Sequence, residues 1–281
     1  MLELKIGLSS DKIVRLPLNK EIKFDHFRVT LLEANHCPGA VLLFFRLNNG
    51  KCILHTGDFR ADDALISNQL FQDSKVSTLY LDTTYLNPKY TFPSQKETIQ
   101  FTTQIVLDCL ARFPNTLVVT GTYTIGKERI FVNIAHALKK KIFVTNKQMK
   151  IYKCLEDKDL LSCLTTDKSS TNVHVVPMKQ LSISALFDLL AKYSGIYTKV
   201  LAIKPTGWAF DKCKGDLSLL TPPGPEAVSL LEIPYSEHSS FNELRNFVRA
   251  TRPTKIIPTV NVGNPQTRDM MKSHLDRWRI S

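Results

Sequence analysis

The stretch Leu230-Leu231-Glu232-Ile233-Pro234-Tyr235-Ser236-Glu237-His238-Ser239-Ser240 runs an apolar segment directly into a polar loop. The first four residues have strand character. Ser240 and Glu243 have capping-box spacing, so a helix is expected to start just beyond the loop. Strand, polar loop and helix in that order mark an α/β protein, whose sites sit in loops at strand ends. The pattern recurs twice. A strand over Phe27 to Glu33 leads into Asn35-His36-Cys37-Pro38-Gly39, and one over Lys51 to His55 leads into Thr56-Gly57-Asp58-Phe59-Arg60. One such loop is an ordinary turn. Three in the same context favour a shared site, and a His, an Asp and a second His meeting there suit zinc.

The remaining pattern is also α/β. Val41 to Arg46 and Lys51 to His55 flank Asn49-Gly50, a hairpin turn signal. Strands are expected at Thr78 to Leu81, Leu117 to Val119, Ile142 to Val144, Val200 to Ile203 and Lys255 to Pro258. A helix is expected from Ser94, capped with Glu97, carrying Ile99, Phe101, Ile105, Val106 and Leu110 on its apolar face. Further helices are expected from Lys127-Glu128 to Leu138, from Ser184 to Tyr193, and in the basic segment ending near Trp278. For Trp208, core packing is expected rather than base stacking.

Composition narrows the classes. The chain has 281 residues, 43% hydrophobic and 22% charged, enough for a large folded core and unlike a disordered chain. The formal net charge of +11 favours polyanionic partners. Six scattered cysteines without a CxxC pair argue against a zinc ribbon or a disulfide framework. Neither a signal peptide nor a membrane span is expected from the apolar runs.

Five motifs in order resemble those of the metallo-β-lactamase/β-CASP nucleases. Glu33-Ala34-Asn35-His36-Cys37-Pro38-Gly39-Ala40 resembles the third metal motif, and His55-Thr56-Gly57-Asp58-Phe59-Arg60 the motif with the bridging aspartate. Leu81-Asp82-Thr83-Thr84-Tyr85 is similar to acidic motif A, Pro234 to Ser240 to histidine motif B, and Pro258-Thr259-Val260 to motif C. The resemblance runs along nearly the whole chain. It fits best the DNA cross-link repair 5′-exonucleases, the branch that includes Artemis and Apollo.

The resemblance implies an αββα sandwich with its N-terminal part missing and an inserted β-CASP α/β domain. The expected boundaries are 1–94 and 213–281 for the sandwich and 95–212 for the insert. His36 would bind the first metal, Asp58 would bridge two metals or hold one, and His238 would bind the second. Asp82 would orient His238, making Asp58, Asp82 and His238 the catalytic set. Lys127, Ser239 and Val260 are expected at the substrate. Lys127 lies in Thr120-Gly121-Thr122-Tyr123-Thr124-Ile125-Gly126-Lys127-Glu128, a strand-to-helix stretch of the kind that can cradle phosphate. Valine at position 260 resembles DNA-acting members, where RNA-processing relatives carry histidine. One or two zinc ions are implied. Zinc acidifies its water to a pKa of roughly 7, giving a hydroxide that attacks a phosphodiester. The substrates implied are 5′-phosphorylated ends and cross-linked or damaged DNA, and the location is the nucleus.

The family's His-x-His-x-Asp-His motif does not occur among these 281 residues. The only Asp-His pair, Asp25-His26, is read as structural. The expectation is therefore an incomplete chain of an active enzyme, less soluble than the full domain because sheet edges and apolar faces lie open. The alternatives are a non-catalytic DNA-binding or regulatory paralogue and an RNA-processing nuclease. A small-molecule hydrolase is disfavoured by the β-CASP motifs and the charge.

Overall fold

The computed structural model describes residues 1–280. Its strands in chain order are β1 (Ile22–Lys23), β2 (Phe27–Glu33), β3 (Val41–Leu47), β4 (Cys52–His55), β5 (Val76–Leu81), β6 (Thr116–Thr122), β7 (Ile142–Phe143), β8 (Leu164–Thr165), β9 (Val173–Pro177), β10 (Lys199–Pro205), β11 (Val228–Ile233) and β12 (Lys255–Pro258). They form two six-stranded sheets, one in each of two compact units.

The first unit comprises Ser9–Thr91 and the residues from Glu237 onward. Its sheet has the order β1-β2-β3-β4-β5-β12. The strands from β1 to β4 pair antiparallel, while β4, β5 and β12 run parallel. The Asn49-Gly50 turn joins β3 to β4 as its residues demand, with Gly50 at φ 80°. Alternation along the strands then assigns the faces. Leu42, Phe44, Leu54, Leu79 and Leu81 are fully buried with Phe247 and Val248 of the Phe241–Thr251 helix and with Met271, Leu275 and Trp278 of the Pro265–Ile280 helix. Leu31, Leu43, Phe45, Ile53 and Tyr80 point to the other face and are only partly buried. Sheet plus one helical layer is one half of an αββα sandwich.

The second unit comprises Met1–Leu8 and Phe92–Ser236. Its sheet, β11-β10-β6-β9-β7-β8, is parallel throughout. Both faces are covered, as a parallel sheet requires. Val118, Leu201 and Ile203 pack with the Gln95–Arg112 and Glu128–Leu138 helices, and Leu117, Val119, Val200 and Ala202 pack with Leu181 and Leu186. Gly121 is required in β6, because a Cβ there would sit 2.4 Å from Leu181 Cδ1.

Several expectations shift. β11 pairs with β10 from Val200↔Val228 to Pro205↔Ile233, so the second unit runs to Ser236 rather than closing at 212. Residues 1–8 group with this unit rather than with the sandwich. β6 extends through Thr122, taking in the first residues of the expected phosphate stretch. The helices Asn146–Lys153 and Lys158–Cys163 and strand β9 were not foreseen. Trp208 is 63% exposed rather than packed in the core, because it falls in the short turn Gly207–Ala209 beyond β10.

Glu243 has two duties in the first unit. Its carboxylate accepts from the Ser240 backbone N–H at 2.7 Å, completing the capping box. It also receives the buried Arg60 guanidinium at 3.0 Å and 3.1 Å. Removing it takes a carboxylate partner from a buried cation as well as a cap, so the loss exceeds the roughly 1 kcal/mol of a cap alone. Glu243→Ala is expected to lower the unfolding free energy well beyond Ser240→Ala, measured by urea denaturation.

Candidate metal centre

The site is built by three strand-end loops of the first unit. β2 ends at Glu33, and Asn35 then takes a left-handed conformation at φ 51°, which asparagine tolerates. β4 ends at His55, and Gly57 at φ 54° turns the chain so that Asp58 faces outward. The third loop carries Glu237-His238 into the Phe241–Thr251 helix.

One donor atom from each of His36, Asp58 and His238 lies within 4.8 Å of the others. His36 Nε2 stands 4.0 Å from Asp58 Oδ2, and the two imidazole rings are 4.7 Å apart edge to face. Each ring has its Nδ1 occupied. In His36 it lies 2.9 Å from the Glu237 carbonyl, and in His238 it lies 2.7 Å from Asp82 Oδ2. Donation from Nδ1 fixes the tautomer and leaves Nε2 as the lone-pair nitrogen, the arrangement of metal-ligating histidines. Two imidazoles and an exposed carboxylate fit zinc with positions left open for water and substrate.

Asp82 is the pivot behind this set. It is 2% exposed. Its Oδ1 accepts from the Thr84 N–H at 2.9 Å and the Thr84 hydroxyl at 2.6 Å, while its own N–H donates to Thr56 Oγ1 at 3.0 Å. Burial pushes its carboxyl up, but the hydrogen bond and charge of His238, joined by the Thr84 bonds, hold it below the usual carboxylate range. Thr83 adds a clamp that residue patterns did not flag: its hydroxyl donates to the Val260 carbonyl at 2.6 Å and accepts from the Val260 N–H at 3.2 Å. This fixes Val260 beside the Asp82 loop. Thr83 and Thr84 stand within motif A directly after Asp82, so the hydroxyl pair after the aspartate was the available signal.

Two expected substrate residues are occupied otherwise. The Ser239 hydroxyl is buried, accepting from the Ala61 N–H at 2.9 Å and donating to the Phe59 carbonyl at 3.1 Å. It ties the Asp58 loop to the His238 loop. Lys127, in the second unit, is 6% exposed with its ammonium 5.1 Å from the centre of the Tyr235 ring. Beside it, the Gly126 N–H donates to Glu128 Oε1 at 2.7 Å and the Thr122 hydroxyl donates to the Gly126 carbonyl at 2.8 Å. A carboxylate oxygen of the same stretch thus already accepts the Gly126 N–H.

A carboxyl held low in the folded state stabilises the fold at pH above its unfolded value, and that stabilisation is lost as the pH falls through the folded value. Asp82→Asn is therefore expected to destabilise the chain at neutral pH, with the difference from the native protein shrinking on acidification below the carboxylate range. The same variant should weaken divalent-metal affinity about 10–100-fold, read by competition with a chelating indicator. Lys127→Ala is expected to lower the melting temperature while leaving the salt dependence of polyanion binding unchanged.

Residues 158–264 match the family model described as DNA repair metallo-beta-lactamase. The chain is 43% identical over 279 residues to the DNA cross-link repair protein SNM1 of Arabidopsis thaliana, covering 99% of this chain and 58% of that protein. It is 42% identical over 280 residues to the DNA cross-link repair 1A protein of Homo sapiens, covering all of this chain and 27% of that protein. With the 5′ exonuclease Apollo of Mus musculus the identity is 31% over 247 residues, covering 88% and 41%. The chain thus spans from about a quarter to under three-fifths of these relatives. The crystal structure of a protein of unknown function from Enterococcus faecalis V583 shares the fold at a TM-score of 0.54 and 13% identity, covering 88% of this chain and 61% of that one. Taken with the mixed α/β sheets and the converging donors, these matches make the chain similar over nearly its whole length to DNA cross-link repair proteins, and its residues 158–264 match a metallo-beta-lactamase family model whose name implies a divalent metal ion.

Proposed function

We propose that this chain is the metal-binding part of a zinc-dependent DNA 5′-exonuclease acting on cross-linked or damaged DNA in the nucleus. The observation that carries the reading is the convergence of His36, Asp58 and His238 with both Nδ1 atoms already committed. The relatives named for cross-link repair and for 5′-exonuclease activity supply the reaction class.

The division of labour follows from the contacts. His36, Asp58 and His238 hold the cation. Asp82 keeps His238 oriented and raises its basicity as a ligand, with Thr84 holding Asp82 in turn. The Glu237 carbonyl does the same for His36. Asp58 is the exposed member, its side chain 59% accessible, and stands where a phosphate would approach. Zinc there would supply an acidified water as nucleophile and positive charge opposite the phosphate in the transition state. The excess of 11 positive charges favours binding of the DNA backbone and makes that binding salt-dependent. Val260, clamped beside Asp82, is the residue we assign to the preference for DNA over RNA.

The test is digestion of a 5′-phosphorylated DNA strand by this polypeptide loaded with zinc. Release of nucleotides from the 5′ end is expected, abolished by Asp58→Asn, by His238→Ala and by chelation, with the matching RNA spared. Cleavage that survives both substitutions would remove the metal centre from the reaction. A set of only three donors favours one second reading, a non-catalytic DNA-binding relative. DNA bound in a salt-dependent way but left uncut at saturating zinc identifies that case.

A further inference from the structure

A second group of donors lies in the other unit, where nothing above assigns a role. His136 stands in the last turn of the Glu128–Leu138 helix. Asp159 and Cys163 are four residues apart on the Lys158–Cys163 helix, which puts both on one face. Ligand atoms of the three lie within 4.8 Å of one another. His136 Nε2 is at the centre, 3.0 Å and 3.1 Å from the two Asp159 oxygens and 3.8 Å from Cys163 Sγ.

The arrangement is an open cup. The side chains of His136 and Asp159 are 52% and 64% accessible and form the rim. Cys163, 6% exposed, is the floor. An exposed His–Asp pair by itself contributes little to stability. What distinguishes this one is the sulfur beneath it. Around tetrahedral zinc, ligand distances of about 2.0–2.3 Å separate a nitrogen from an oxygen or a sulfur by roughly 3.3–3.6 Å. The separations from His136 Nε2 bracket that range, and the exposed rim side chains have room to close on a cation. Burial, with the Asp159 and Asp157 carboxylates acting in the same direction, pushes the Cys163 thiol up against the opposing effects of Ser162 and Lys141. Without a cation this sulfur is a neutral, unreactive thiol.

We propose that His136, Asp159 and Cys163 form a zinc site of the second unit, separate in residues and role from the candidate catalytic set. Sulfur and imidazole donors select zinc or cobalt over magnesium, calcium or manganese. Cys163 immediately precedes β8, the edge strand of the parallel sheet, which pairs only with β7 among the described strands. The metal links the Glu128–Leu138 helix to the segment that feeds this edge, and holds it in place.

The test is titration of the metal-free full chain with Co²⁺. One equivalent is expected to produce thiolate-to-cobalt charge-transfer absorption in the near ultraviolet, displaced by Zn²⁺ but not by Mg²⁺. The band should persist in Cys37→Ser and in Asp58→Asn and vanish in Cys163→Ser. The surface substitutions His136→Ala and Asp159→Asn, which leave the core intact, should each weaken the cobalt affinity at least about tenfold. Hydrogen exchange of residues 158–165 should slow on zinc addition. Absence of the band from the native chain, or its survival in Cys163→Ser, overturns the proposal. Retention of the band in Asp58→Asn separates this site from the nuclease reading, whichever way the cleavage assay falls.

Discussion

The hydrogen bond from His238 Nδ1 to Asp82 Oδ2, at 2.7 Å, joins residues 156 positions apart. One end is the loop that follows β5, and the other is the loop that begins the return of the chain to the first unit. Most of the chain between them, Phe92–Ser236, belongs to the other unit. The donors can meet only if the chain leaves after β5, completes a second unit and comes back beside the same strand. Pairing of β12 with β5, Lys255↔Thr78 to Pro258↔Leu81, secures that return. The candidate metal centre and the topology of the first unit are thus held by the same contacts.

The supports around the centre also carry the fold. Ser239 bonds both sides of the Asp58 loop, and Thr83 bonds both backbone groups of Val260. Glu243 caps a helix and neutralises a buried arginine with one carboxylate. Buried polar groups of this kind are costly unless every one is satisfied, which is why each loop is fixed by several bonds at once. The result is rigid loops at the ends of rigid strands, the condition for holding ligands in place.

The second unit follows a different logic. Its all-parallel sheet is covered on both faces, so its strands are mostly apolar. The turn around Lys127 shows how far local pattern can mislead. Glycine, hydroxyl and lysine before a helix suggest an anion cradle, and one of its backbone N–H groups is bonded to Glu128 from within the stretch. The group of His136, Asp159 and Cys163 shows the converse, since their separation in sequence concealed a shared locus.

By itself the sequence determined many of the elements and marked the candidate site residues. The hairpin at Asn49-Gly50, the capping boxes at Ser94 and Ser240, and the apolar strands are local signals, and each forms as its residues dictate. His36, Asp58, Asp82 and His238 stood out because each sits in a loop at the end of an apolar run. Tertiary structure alone decided the rest. β11 looks like the beginning of the return, yet its pairing partner β10 claims it for the second unit. Ser239 and Lys127 carry polar groups that a sequence cannot mark as free or committed. That depends on which distant backbone group or ring arrives within about 3–5 Å, which local periodicity does not encode. The donors of His136 and Cys163 come together only because two helices pack side by side, a contact fixed by the core beneath them rather than by any motif.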